Sequence, residues 1–179
     1  SPHLIGQHMP AVPKPTVWSI MVGLAACLTA EITSDENDIK VPCRIFVAPG
    51  DSITPEYEGE CAKGAETCGL AWVRLVNAYP ASGVGQQNLE PDNCNSQLGW
   101  TINMGIVRCF NPGEARSGPS VQYLEQIAKA QIDDMMAMRR AIACCKVFDP
   151  KDTTLSNYVP LTAAGTRIGG AWNLSGILP

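Results

Sequence analysis

Apolar positions along the chain fall into two kinds of period. Thr16 to Ala30, "TVWSIMVGLAACLTA", is an apolar run about four turns long, and Thr16 can cap it after Pro15 sets the approach. The run is shorter than the roughly 18–20 residues a membrane span needs, so it predicts a buried N-terminal helix. A cleaved leader is the competing reading of the same run. Val41, Cys43, Ile45 and Val47 alternate, as on one face of a strand. "LAWVRLVNAYP", 70–80, is apolar on both faces and predicts a central strand. In "WTINMGIVRCF", 100–110, Trp100, Ile102, Met104 and Ile106 point one way, and Thr101, Asn103 and Gly105 the other. That is the alternation of a half-buried antiparallel strand.

The period then changes. From Ser120, a plausible N-cap, the segment "YLEQIAKAQIDDMMAMRRAIACCKVF" (123–148) reads as one long helix. Val121, Leu124, Ala128, Met135, Met138, Ile142 and Cys145 recur at three- and four-residue steps and predict one buried stripe. Asp133 is placed to meet Lys129, and Asp134 to meet Arg140, in weak surface pairs. The three methionines of this segment read as core filler. In the tail, Gly165, Gly169 and Gly170 read as turn residues, and "AWNLSGIL" as a closing strand.

The order predicts an α+β fold. A mostly antiparallel sheet of about four strands carries an N-terminal helix and a long second helix on one face. Residues 1–15, with four prolines, form an extended arm, and 16–179 a single domain with long loops at 49–69 and 81–99. Loops of that length are usually functional.

The two histidines, His3 and His8, both fall in the arm. Catalysis by a Ser–His or Cys–His pair inside the domain is therefore improbable, as is a His-ligated metal. "SDEND", 34–38, lacks the ordered ligand spacing and the glycine of a calcium loop. "SGVG" matches no phosphate-binding pattern, and Asn173-Leu-Ser175 matches a glycosylation sequon of a kind common by chance. Adjacent Asp133 and Asp134 point about 100° apart on a helix, which is unsuited to paired acid–base work. No catalytic residue, metal or cofactor is expected.

Eight cysteines stand at 27, 43, 61, 68, 94, 109, 144 and 145, and no two make a C-x-x-C. Cys27, Cys43 and Cys109 read as small buried apolar residues, and Cys144–Cys145 as the end of a helix in the core. The pair that spacing offers for a disulfide is Cys61 and Cys68, around "AKGAET". A net charge of −4 argues against a tight grip on nucleic acid, yet suits a wall that duplex DNA slides past.

Four stretches together resemble a known family. They are the N-terminal helix before the acidic turn, "CGLAWVRLVNAYP", "GWTINMGIVRCFNPGEARSGPSVQYLEQIAKAQIDDMMAMRRAIACC" and "YVPLTAAGTRIGGAWNLSGIL". They cover most of residues 16–178 and resemble the tail terminator proteins of long-tailed, siphovirus-type phages of actinobacteria. The resemblance rests on order and pattern, since no catalytic motif defines that family. It implies a virion protein of the tail or neck, assembled in the host cytoplasm. Such a protein forms a homo-hexameric ring that caps the tail tube, stops its polymerisation and meets the head-to-tail connector or stopper. Double-stranded DNA passes through the lumen without specific binding, and no membrane is involved. Tyr57, Leu89, Pro10 and Pro13, on the loops and arm, are the expected contacts to partners. Two other readings stand beside it: another connector or stopper of the phage neck, and a secreted disulfide-stabilised binding domain.

Overall fold

The computed structural model describes residues 14–34, 36, 39–54, 56–57, 59, 61, 68–88, 96–111, 113, 116–164 and 167–178. Helix α1 spans Val17–Ile32. Thr16 Oγ1 accepts the Ser19 N–H at 3.1 Å, and Ser19 Oγ accepts the Thr16 N–H at 2.9 Å. This reciprocal cap satisfies two amides that the first turn would leave unpaired. Ile20, Leu24, Leu28 and Ile32 follow at four-residue steps and are all buried.

Three long strands make the body of the sheet: β2 (Gly69–Gly83), β4 (Gln97–Cys109) and β7 (Arg167–Leu178). β4 lies between the other two and is antiparallel to both. Short strands trim the edges. β1 (Arg44–Ala48) and β3 (Gln86–Gln87) pair with the two ends of β2; β5 (Thr153–Leu155) and β6 (Val159–Ala164) pair with β7. The expectation of about four mostly antiparallel strands is corrected. The α+β class stands, but the sheet has seven strands among the described residues and is mixed, because β1 runs parallel to β2. α1 is followed by β1, and the chain between β1 and β2 returns to the end it started from, which permits a parallel pair. β3 and β5, at two and three residues, are too short to show a period, and Pro160 interrupts the strand signal of β6.

Helix α2 spans Val121–Cys144, with Ser120 Oγ accepting the Tyr123 N–H at 3.2 Å. It runs antiparallel to α1: Glu31 meets Arg140, while Cys27 and the Gly23 carbonyl meet Cys145. Gly23 permits the approach, because a Cβ there would run into Val147. Residues of both helices join Ala71 and Val73 of β2, Trp100, Ile102, Met104 and Ile106 of β4, and Leu174 of β7 in one buried cluster. The even-numbered face of β4 therefore turns to the helices, as its alternation predicts. Full burial of each such aliphatic side chain stabilises by about 1.5–3 kcal/mol.

The stripe expected on α2 is only half right. Met138, Ile142 and Cys145 are buried, and Asp134, Ala137 and Ala141 join them. Val121, Leu124 and Ala128 face outward instead, as does Met136. α1 is the shorter helix and covers only the C-terminal half of α2. Gly169 and Gly170, read as turn residues, lie inside β7. A Cβ on Gly169 would strike the backbone of Ile106 and Val107, and one on Gly170 the ring of Tyr158. The glycines allow close approach rather than a turn.

Candidate functional site

The opposite face of the sheet holds a smaller apolar cluster at one end: Ala48, Leu70, Trp72 and Ala171, with Phe46, Ile53 and Tyr57 against them. Tyr57, expected at a partner contact, is half-buried here. Its ring meets Phe46 edge-on at 5.7 Å, and its carbonyl accepts a bond from Arg44 Nη1 at 3.0 Å. Leu89, Pro10 and Pro13 lie outside the described residues.

Beyond Trp72 this face turns polar, with Arg74 of β2 in register with Asn103 of β4. The Trp72 indole N–H donates to Asn103 Oδ1 at 2.8 Å, and Asn103 Nδ2 donates to Asn173 Oδ1 at 2.8 Å. In the next row Thr101 Oγ1 and Ser175 Oγ share a bond of 2.9 Å. These are cross-strand pairs in register, which fix the alignment of β4 on β7. Asn173, the sequon asparagine, is thus held inside a strand rather than offered on a loop.

Between α2 and the sheet lies one buried ion pair. Arg108 Nε donates to Asp134 Oδ2 at 2.6 Å and Nη2 to Oδ1 at 2.7 Å. The side chains are 13% and 5% exposed. Burial pushes the Asp134 carboxyl above its ordinary value of 3.8, and the Arg108 bonds pull it back only in part. The surface pair expected between Asp134 and Arg140 is therefore corrected. Arg140 pairs with Glu31, and Lys129 meets Asp133 at 2.6 Å on the exposed side, as its spacing suggests. The sequence did carry the signal for Arg108. One more step along the alternation from Trp100 to Ile106 puts it on the helix face. A cavity of about 260 Å³ borders the pair, lined largely by apolar atoms including Ile39, Ile127 and Ala130.

The cysteines are not mostly free. Cys27 is bridged to Cys145, Cys43 to Cys61, and Cys68 to Cys109, with Cα separations of 5.8, 5.9 and 5.5 Å. The Cys61–Cys68 bridge that spacing offers does not form: each takes another partner. Cys68 stands directly across from Cys109, one step beyond the Gly69–Arg108 pair of the β2–β4 ladder. Cys43 donates its N–H to the Gly69 carbonyl at 3.0 Å, which fixes the segment before β1 beside the start of β2. Cys144 keeps an exposed thiol, and Cys94 lies outside the described residues.

What remains is surface. Among the described residues no three His, Cys, Asp or Glu side chains gather as a metal site, and no helix is long and apolar enough to cross a membrane. Apolar side chains are exposed on the strands at the β7 edge, at Leu155, Val159 and Leu161, and along the outward line of α2, at Val121, Leu124, Ile132 and Met136. Both edges of the sheet end in short strands. No protein-family model matches the chain, and no curated protein matches it.

Proposed function

We propose that the chain is a structural virion protein, a tail terminator whose copies close a ring on the end of a phage tail tube. In this reading the ring stops tube growth, meets the head-side connector and lets DNA through. The observation that carries it is the pair of unlike open edges on one sheet. One edge is β1 with β3; the other is β5 with β6, with Leu155, Val159 and Leu161 exposed. Two unlike edges on one subunit suit head-to-tail association, which makes a ring when the rotation closes. The sequence resemblance supplies the ring number of six. A charge of −4 supports passage of DNA without retention.

The three disulfides favour a second reading, a secreted binding domain, because such bridges form in oxidising surroundings. Virion surfaces are also oxidising, so the bridges are compatible with the first reading. The test is light scattering after size exclusion with negative-stain images, run with and without assembled tail tubes. Six-fold rings, or protein confined to tube ends, support the terminator. A bridged monomer that leaves tube ends bare moves the reading to the secreted domain.

A further inference from the structure

The outward line of α2 has a symmetry of its own. Val121, Glu125, Ala128, Ile132, Met136, Arg139 and Ala143 are all exposed and follow one another at steps of four, three, four, four, three and four residues. The order of steps is the same read from either end, with Ile132 at the centre. At 3.6 residues per turn, these steps keep all seven on one side of the helix, away from buried Asp134, Ala137, Met138 and Ala141.

We infer that this line is a self-complementary contact, on which α2 of a second copy of this chain packs antiparallel about a two-fold axis at Ile132. The pairing follows from register. Ile132 meets the second copy's Ile132, and Ala128 meets its Met136, small against large. Glu125 meets its Arg139, so that two opposite-charge pairs flank the apolar centre. Val121 meets its Ala143. Neither Glu125 nor Arg139 has an ion-pair partner within the chain among the described residues. Ile132, at the centre of the line, is 56% exposed, Met136 one turn on is 39% exposed, and Val121 at the start of the helix is 71% exposed, so the line carries apolar surface along its length. Charge complementarity sets the antiparallel direction: a parallel pairing at the same register would bring Glu125 to Glu125 and Arg139 to Arg139. An isologous contact of this kind uses the same patch on both copies and closes at two. It does not rest on the ring reading, and a two-fold contact alone cannot generate a ring.

The test uses the full chain with Cys144→Ser and Cys94→Ser, which removes both cysteines that stand outside the three bridges. Ile132→Cys in that background is expected to give a covalent dimer on mild oxidation, since the axis places the two thiols together. Without the added cysteine, the protein is expected to elute at about twice its 19.1 kDa mass. Glu125→Arg is expected to return it to monomer, and Glu125→Arg with Arg139→Glu to restore the dimer. All of the changes on α2 lie on the surface, and an unchanged circular dichroism spectrum confirms folding. A failure of Ile132→Cys to cross-link, or a charge reversal that the second reversal does not rescue, overturns the pairing. Rings that form without the cross-link overturn the pairing and leave the ring reading intact. A cross-linked dimer that never forms rings does the reverse.

Discussion

Asp134 of α2 accepts two hydrogen bonds from the guanidinium of Arg108 on β4, at 2.6 and 2.7 Å, in the seam between helix and sheet. Two charges withdrawn from water cost nearly as much as their attraction returns, so the pair sets the alignment of α2 on β4 more than it adds stability. Removing one partner strands the other. Asp134→Ala is expected to lower stability by about 3–5 kcal/mol, and Arg108→Met by a similar amount at neutral pH. The double change Asp134→Leu with Arg108→Met is expected to cost less than either single. Urea unfolding of the four proteins checks this, and a double variant as weak as the sum of the singles would contradict it.

The same pair gives a signed dependence on pH. Burial already raises the Asp134 carboxyl above 3.8, and Arg108 opposes that rise. In Arg108→Met burial acts with less opposition, so the folded-state value climbs further. A carboxyl raised on folding binds more protons in the native chain than in the unfolded one. Its contribution to stability is full below the unfolded value and is lost as pH rises through the folded value. Arg108→Met is therefore expected to approach the wild type in acid and to fall behind it as pH increases. Unfolding midpoints of both proteins over a pH series measure the difference. A gap that widens toward acid would reverse the assignment.

The disulfides should rank by the chain they enclose. Cys27–Cys145 joins residues 118 apart, and Cys43–Cys61 residues 18 apart. In the chain-entropy account the longer closure is worth about 4–5 kcal/mol and the shorter about 3. Cys27→Ala is expected to lower the unfolding midpoint more than Cys43→Ala. Peptide mapping without reduction should find the three stated pairs and an alkylated Cys144. A Cys61–Cys68 peptide in their place would restore the pairing that sequence spacing suggests.

Legibility in the sequence followed the strength of the local period. Trp100 to Ile106 alternates long enough to put four residues on one face, and the face it predicts is the face found. Thr16 and Ser120 cap their helices as their chemistry suggests, because capping depends on a few neighbouring atoms. The parallel β1, the short edge strands and the partner of Asp134 depend on residues far away in the chain, and local pattern carries no term for them. α2 misleads for a different reason. It has apolar residues on two opposite lines, and the sequence does not say which line meets the sheet. The disulfides fail likewise: spacing favours the near pair Cys61–Cys68, whereas the β2–β4 register brings Cys68 across from Cys109.

Gly169 tests whether the tail glycines serve packing or turning. It pairs with Val107 inside the β4–β7 ladder, and its carbonyl accepts a hydrogen bond from Gln131 of α2. A Cβ there would press on the backbone of Ile106 and Val107, which belongs to the central strand and has no rotamer to yield. Gly169→Ala is therefore expected to separate β7 from β4 locally and to cost about 1–3 kcal/mol, the usual range for overpacking. Gly85, at a φ of +70° in the turn before β3, has open space around its Cβ position. Its alanine variant is strained by backbone conformation alone, at about 1–2 kcal/mol. Hydrogen exchange separates the two cases. Gly169→Ala should speed exchange of the β4 and β7 amides around Val107 and Gly169, whereas Gly85→Ala should leave them protected and affect only the turn. Unaltered protection in the Gly169 variant would mean that the glycine is not required for the close approach of the two strands.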